Sequence, residues 1–491
     1  MREHLVLYVN GRRHEVRGSD AFLTLSEYLR TRLRLTGTKI VCSEGDCGSC
    51  SVLVGRFYEG TPEGAYDDRL EYHVVDSCIQ LMFQLDGTHI VTVEGLRRGD
   101  ELSPVQSSMV ELHGSQCGYC TPGFAVAMTG LLENKSQPTE EEWRCGLTGN
   151  LCRCTGYSSI LAAAMQAAGA NPEKIVALYP EFEMCQEFQP LARTAFHLRD
   201  GSREVYGPID THDAVSYLVA NPAAKVVSGG TDVGVQLNKR MIAPEKFVSL
   251  NRIRNLQGVG IVYKDGKFDG SICCGAAATW SELLPPYFLA EFPSQLGEIV
   301  AVFGSPQIRN VGTIGGNLVN ASPIADSIPF FMVMDAMLLI VGPERKSRVV
   351  NINDFYLGYR KTALQPAELL TGLTFFPPAA NQQLSLYKIS RRRDLDISTF
   401  TAAILLTIEN ETIVEARIAL GAVGPTVIRV KQTEAFLKDK PFSESTMQAA
   451  GELAAQEVTP ISDVRGSADF RWQLVRNVFL KFFHERRSVA A

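Results

Sequence analysis

The stretch that most constrains this chain is Cys42-Ser43-Glu44-Gly45-Asp46-Cys47-Gly48-Ser49-Cys50. Three cysteines at C-x4-C-x2-C have so little chain between them that one loop must wrap one small object. A fourth cysteine, Cys78, lies well downstream. A second set follows: Cys117-Gly118-Tyr119-Cys120 and Cys152-Arg153-Cys154. Each pair of the second set sits just before an expected helix start. Helix N termini carry partial positive charge and free N–H groups, which favour thiolates and a net-negative cluster.

Three thiolates from one loop and one from elsewhere is the plant-type [2Fe–2S] ligand spacing. The competing metal for four cysteines is zinc, whose ribbons commonly pair two C-x2-C knuckles. Set one has C-x4-C-x2-C, and set two joins C-x2-C to C-x-C. Iron–sulfur therefore fits the spacing better, and zinc stays as the alternative. Cys42, Cys47, Cys50 and Cys78 are the expected ligands of one cluster, and Cys117, Cys120, Cys152 and Cys154 of the other. The remaining cysteines, Cys145, Cys185, Cys273 and Cys274, read as small buried hydrophobes. Cys145 is the one positioned to compete as a ligand.

At 491 residues the chain exceeds one ordinary core, so several domains are expected. Net charge is −6, which disfavours nucleic acid and anionic membrane as partners. Leu5–Val9 is too short for a signal-peptide core. The apolar run 328–341 contains Asp335 and falls short of a membrane span. A cytoplasmic location is the expectation, and twelve cysteines there suit metal ligation more than disulfides.

Asn10-Gly11 predicts a type I′ hairpin between strands at 4–9 and 12–16. Thr24-x-x-Glu27 is a capping box for a short helix to about Leu33. Strands are expected at 51–54, 72–85 and 89–93, which with the hairpin make a β-grasp-like sheet. Helices should follow: Ser103-Pro104 opens one, ended by Gly114, and Thr121-Pro122 opens the next by the same device. Thr139-x-x-Glu142 opens a third, and 157–168 forms a fourth. The resulting domains are 1–94, a helical unit at 95–170, a linker without periodicity at 171–195, an α/β region at 196–379 and an α+β region at 380–491.

Two glycine-rich turns follow apolar strands: Val226-Val227-Ser228-Gly229-Gly230-Thr231-Asp232-Val233 and Thr313-Ile314-Gly315-Gly316-Asn317. Alone, each reads first as a tight turn. Together they fit two loops of N–H groups around one diphosphate, with Thr231 and Asn317 adding side-chain bonds. No G-x-G-x-x-G strand–turn–helix unit is present, so a Rossmann site is not supported. The run from Lys388 to Asp396 has two readings: a solvated charged turn, or a cationic rim over a redox cofactor. No Ser/His/Asp triad or paired-carboxylate signature occurs, and no catalytic residue is assigned.

Glu44 to Cys50, Gln116 to Gly123 and Gly149 to Tyr157 closely resemble the iron–sulfur motifs of the molybdenum hydroxylases. Val226 to Val233, Thr313 to Asn317 and Ala321 to Asp326 resemble that family's flavin domain. The order, iron–sulfur then flavin in one polypeptide, resembles the small subunit of the bacterial xanthine dehydrogenases. The resemblance implies a multidomain α+β fold. Its parts are a β-grasp plant-type ferredoxin domain, a four-helix [2Fe-2S] domain, an α/β FAD-binding domain of the molybdenum hydroxylase (PCMH) type and a C-terminal α+β flavoprotein domain. It also implies FAD held by Val226, Val227, Ser228, Gly229, Gly230, Thr231, Asp232, Val233, Phe303, Thr313, Ile314, Gly315, Gly316, Asn317, Asp326, Leu370 and Lys388.

The same resemblance implies a molybdopterin-binding large subunit as partner, in a dimer of heterodimers. The helical-unit cluster would lie nearest molybdenum, and NAD+ would accept the electrons. Three departures stand out. Ser49 and Ser51 replace Ala and Thr, Ser-Gly-Gly-Thr-Asp replaces Gly-Asn-Thr-Glu, and Leu395 interrupts the acidic run associated with NAD. The equivalent subunit of an aldehyde or N-heterocycle oxidoreductase, or a zinc-stabilised scaffold, are the alternative readings.

Overall fold

The computed structural model describes residues 1–59, 68–264, 267–284 and 293–489. They fall into two compact units: Met1–Arg254 with Gly304–Gly312, and Asn255–Phe303 with Thr313–Ala491.

The first unit begins with the expected hairpin, β1 (Leu5–Val9) and β2 (Arg12–Val16). Asn10 and Gly11 have φ of 47° and 75°, as a type I′ turn requires. Helix α1 (Leu25–Thr31) starts at Thr24 with both bonds of the capping box made. Then come β3 (Ser51–Tyr58), β4 (Arg69–Asp76) and β5 (Thr88–Val91). The sheet order is β2-β1-β5-β3-β4, with β1 and β5 parallel and the other pairs antiparallel. This is the β-grasp arrangement expected. The strand expected at 72–85 ends at Asp76, however. A turn and a short 3-10 helix (Met82–Gln84) follow, and the turn carries Cys78.

Four helices come next: α2 (Pro104–Glu111), α3 (Thr121–Asn134), α4 (Glu140–Gly146) and α5 (Ser158–Gly169). Ser103 and Thr139 cap as expected. Thr121 does not: it lies inside α3, and Cys120 takes the N-cap position without a side-chain bond. Nor does Gly114 supply the left-handed residue after α2, since His113 does, at φ 52°. The apolar faces of these helices close one core around Phe124, Met128 and fully buried Trp143.

The segment 171–195 is not an aperiodic linker. It carries α6 (Ile175–Leu178) and α7 (Phe182–Ala192). Ile175, Met184, Cys185 and Phe188 are buried in the helical core. Pro190 sits in the last turn of α7, where it leaves the Gln186 carbonyl without its i→i−4 donor.

The unit is completed by β6 (Phe196–Asp200), β7 (Arg203–Gly207), α8 (Thr211–Ala220), β8 (Lys225–Val227), α9 (Thr231–Asn238) and β9 (Lys246–Ser249). The strands pair in the order β6-β7-β9-β8. Residues 304–312 also belong here. Ile308, on the short helix Pro306–Arg309, packs against Cys50, Cys78 and Ile79.

Among the described residues, the second unit holds a two-stranded sheet, Tyr356–Gly358 with Lys361–Thr362, and two five-stranded antiparallel sheets. One runs Val259–Lys264, Lys267–Gly275, Leu369–Phe375, Met337–Val341, Ser347–Asn351. The other is built on Gln382–Ile389, Phe400–Glu409 and Thr412–Gly421, covered by helices Glu444–Ala454 and Ala468–Val489. The apolar run 328–341 is not one element: it splits into helix Ile328–Val333 and strand Met337–Val341, both in the core.

Candidate iron–sulfur and flavin sites

The first cysteine set assembles where β3 and β4 end. Cys50 immediately precedes β3, and Cys78 lies two residues beyond β4, so the sheet fixes both. Ser77 locks them together: its N–H and its hydroxyl both donate to the Cys50 carbonyl, at 3.4 and 2.6 Å. The Cys42 thiol is within hydrogen-bonding reach of Cys47 and Cys78, and Cys50 of Cys78. Contact with Cys47, then Cys78, pulls the Cys42 thiol far below its ordinary value. The same contacts with Cys42 push Cys47 and Cys78 up. Cys50 and Cys78 are buried, while Cys42 and Cys47 are half-buried.

The buried carboxyl of Asp76 accepts from Cys50 Sγ at 3.5 Å. Burial raises it to about pKa 7, and its Oδ2 has no partner among the described residues.

The second set gathers at the start of α3 and in the loop before α5. Cys120 is within reach of Cys152, and Cys154 of Cys117. Burial raises the Cys120 thiol to about 12. Cys152 is lowered against the pull of burial by Thr155, whose hydroxyl and N–H lie 3.2 and 3.4 Å from Sγ. Gly156 and Tyr157, both left-handed, turn the chain so that the Tyr157 hydroxyl accepts the Cys152 N–H at 2.9 Å. Cys117 and Cys154 are exposed beside half-exposed Tyr119.

The thiols therefore gather as the two sets expected from sequence. Among the described residues, no three ligating side chains converge tightly enough for a single ion. The C-x4-C-x2-C spacing of the first set fits a plant-type two-iron cluster better than the paired C-x2-C knuckles of a zinc ribbon. Of the leftover cysteines, Cys185 and Cys274 are buried as expected, but Cys273 is half-buried and Cys145 is exposed on α4.

The two loops touch through backbone. The Leu151 N–H donates to the Cys47 carbonyl at 3.0 Å, so a residue of one set is bonded to the neighbour of Cys152 in the other. A Cβ on Gly123 would sit 2.1 Å from the Gly48 carbonyl oxygen, so only glycine lets α3 approach this closely.

The first glycine turn also lies in this unit. Val226 and Val227 are on β8, and Gly230, at φ 78°, is the N-cap of α9. The N–H groups of Gly229 to Val233 have no hydrogen-bond partner among the described residues, leaving a row of donors for an anion. The carbonyls behind them are tied: Gln84 donates to Ser228 and Gln80 to Gly229, at 2.7 and 3.2 Å. A Cβ on Gly229 would lie 2.0 Å from the Val311 carbonyl oxygen, so the turn is flush with the backbone leading to Gly312. These features fit a diphosphate. At its far end α9 meets the cysteine loop. Asn238 donates to the Ser43 and Cys78 carbonyls at 2.9 and 2.8 Å, and Gly234 lies against Ile79.

In the second unit the other glycine turn differs from expectation. Thr313 caps helix Ile314–Asn320, and its N–H groups are already used. Ile314 donates to Ala278, Gly315 to Ala276, and Gly316 and Asn317 to Thr313. This turn offers close backbone approach and no row of free donors. Asn317 Oδ1 accepts from Ser327 at 2.8 Å. Phe303 packs edge-on to Trp280, and Leu370 is buried in the core.

Lys388 is not part of a solvated turn. Its Nζ is buried and donates to Asp326 Oδ2 at 2.6 Å and to the Asp396 carbonyl and Ser398 Oγ at 3.0 Å each. Ser398 also donates to Asp326 Oδ1 at 2.5 Å. Arg391, Arg392 and Arg393 are exposed, as the solvated reading had it. Sequence reasoning missed Gln80, Gln84, Asn238 and Ser398, because each acts on a partner far away in the chain.

Three family descriptions match this chain. They are the [2Fe-2S] binding domain over 92–165, the FAD binding domain in molybdopterin dehydrogenase over 198–378, and the CO dehydrogenase flavoprotein C-terminal domain over 385–486. Xanthine dehydrogenase 1 of Arabidopsis thaliana is 30% identical across 97% of this chain, which spans only 39% of that relative's length. Among solved structures, a carbon monoxide dehydrogenase from Hydrogenophaga pseudoflava, lacking the Mo-pyranopterin moiety of its cofactor, matches with TM-score 0.53 and 27% identity. The match covers 56% of this chain and 94% of that one. Quinoline 2-oxidoreductase from Pseudomonas putida 86 matches with TM-score 0.52 and 26% identity, over 57% and 94%. Two cysteine sets, a glycine turn with a row of free N–H groups and these three domains in one polypeptide make the chain an iron–sulfur and FAD-binding member of the molybdenum hydroxylase family.

Proposed function

We propose that this chain is the electron-transfer subunit of a xanthine dehydrogenase, the counterpart of the bacterial small subunit. The observation that carries the proposal is the backbone bond from Leu151 N–H to the Cys47 carbonyl. It joins the two cysteine sets within one unit, which supports reading them as successive stations rather than independent sites. The xanthine dehydrogenase relative supports the substrate, since it is similar across nearly the whole of this chain.

When loaded, two [2Fe-2S] clusters would carry single electrons from a molybdopterin centre on a large partner subunit, and FAD would pair them for hydride transfer to NAD+ as hypoxanthine or xanthine is oxidised to urate. The eight cysteines named above would hold the clusters, and the expected FAD residues would hold the flavin. Gly229 to Val233 would bind its diphosphate through free N–H groups. Lys388, fixed by Asp326 and Ser398, would supply a held positive charge that favours an anionic reduced flavin. The domain boundaries proposed are those read from the sequence, with 171–195 now helical. The exposed Cys117 and Cys154 suit a partner docking there. Beside them is a groove of about 410 Å³ lined by Leu102, Met109, Val110 and Pro122.

The structural likeness to quinoline 2-oxidoreductase favours a second reading, the same subunit serving an N-heterocycle or aldehyde oxidoreductase. Co-purification with the partner chain, followed by assay of xanthine with NAD+, decides between them. Iron, FAD and urate formation are expected. Zinc in place of iron, or turnover of quinoline-type substrates but not xanthine, would overturn the proposal.

A further inference from the structure

We propose that Gln307 is a positioning residue that holds both iron–sulfur loops in register. This rests on the reading of the two cysteine sets as cluster ligands. Gln307 lies between two stretches of the flavin-domain sequence, yet it is fully buried in the iron–sulfur unit. Ser305 aims it by capping the short helix, accepting the Ile308 N–H at 3.1 Å.

Its amide nitrogen donates in two directions: to Asn150 Oδ1 at 2.8 Å and to Ser51 Oγ at 3.2 Å. Both partners in turn donate to one atom, the Gly48 carbonyl oxygen, at 3.0 and 2.7 Å. Gly48 lies between Cys47 and Cys50, Ser51 follows Cys50, and Asn150 precedes Leu151 and Cys152. One carboxamide therefore grips the ligand loops of both sets, on either side of the bond between Leu151 and Cys47. The fit is close on the other side as well, because a Cβ on Gly149 would meet Gln307 Oε1 at 2.0 Å.

Packing alone does not account for a glutamine here. Its Oε1 has no partner among the described residues, and an unsatisfied buried acceptor is destabilising. An apolar side chain of similar length would avoid that cost. What the glutamine supplies is the pair of N–H bonds. With clusters held by both cysteine sets, the step it would govern is the transfer of one electron from a reduced cluster of the Cys117 set to an oxidised cluster of the Cys42 set, with no bond made or broken. The rate and equilibrium of that step depend on the relative placement and polarity of the two loops.

The test uses the whole chain with its clusters loaded. Gln307→Met removes both N–H bonds at nearly constant volume. During stepwise reduction with dithionite, EPR should show both cluster signals altered. The sharing of one electron between them should shift by roughly two- to tenfold, the range set by one hydrogen bond, while iron content stays unchanged. Ser51→Ala, which removes one of the two Gln307 bonds together with the Ser51 bond to the Gly48 carbonyl, should also alter both signals, and it keeps the test open if Gln307→Met fails to fold. Unaltered signals, or a change confined to one cluster, in the folded variant would overturn the proposal. A parent chain without iron would instead overturn the cluster reading, and this proposal with it.

Discussion

His89 shows how one residue can set the acid limit of a fold. It is fully buried, and Gly11 N–H donates to its Nε2 at 3.0 Å, which fixes the neutral ring with the proton on Nδ1 facing the Tyr72 hydroxyl at 2.7 Å. Burial lowers its pKa to about 3 from 6.5. Protonation therefore favours the unfolded chain. The stabilisation is complete above pH 6.5 and is lost progressively as pH falls from there toward 3. Its slope approaches about 1.4 kcal/mol per pH unit. Buried His73 is lowered in the same direction. Denaturant unfolding between pH 7 and 5 should show the decline, and His89→Gln should flatten it. An equal slope in that variant would rule His89 out. None of this was legible in the sequence, where the eight histidines look scattered, because its partners come from the hairpin turn and from another strand.

At the scale of elements, legibility followed locality. The turn at Asn10-Gly11 and the caps at Thr24, Ser103 and Thr139 were readable because donor and acceptor lie within four residues. Both cysteine sets were readable because ligand spacing is a local property too. Helix α7 was not, since Asn171-Pro172, Tyr179-Pro180 and Gln189-Pro190 suggested an interrupted chain. Tertiary burial overrides that signal. Phe188 is 1% exposed and packs edge-on to Tyr8 at 5.7 Å. Phe188→Ala should cost about 3–5 kcal/mol of stability, read from denaturant midpoints. A cost under about 1 kcal/mol would mean that α7 only rests on the surface. The second glycine turn was misread for a related reason. Its sequence suggested free N–H groups, but Ala276 and Ala278, more than 35 residues earlier, take two of them, and Thr313 takes the next two.

At the scale of the molecule, the chain changes units at 254/255, 303/304 and 312/313. The flavin-domain sequence thereby sends both α9 and residues 304–312 into the iron–sulfur unit. Helix α9 has a particular consequence. Its eight residues span about 12 Å, with the free donors of Gly229 to Val233 at one end and Asn238, bonded to Ser43 and Cys78, at the other. Whatever orders one end orders the other, and such coupling must be reciprocal. Maturation of the protein should then be cooperative. FAD should bind more weakly to chains that lack the first cluster, and by the same factor the first cluster should be held less firmly in chains that lack FAD. Asn238→Leu should abolish that factor while each cofactor still binds alone. Titration of FAD into cluster-free and cluster-loaded chains measures it, and equal affinities would show that the two loading events are independent.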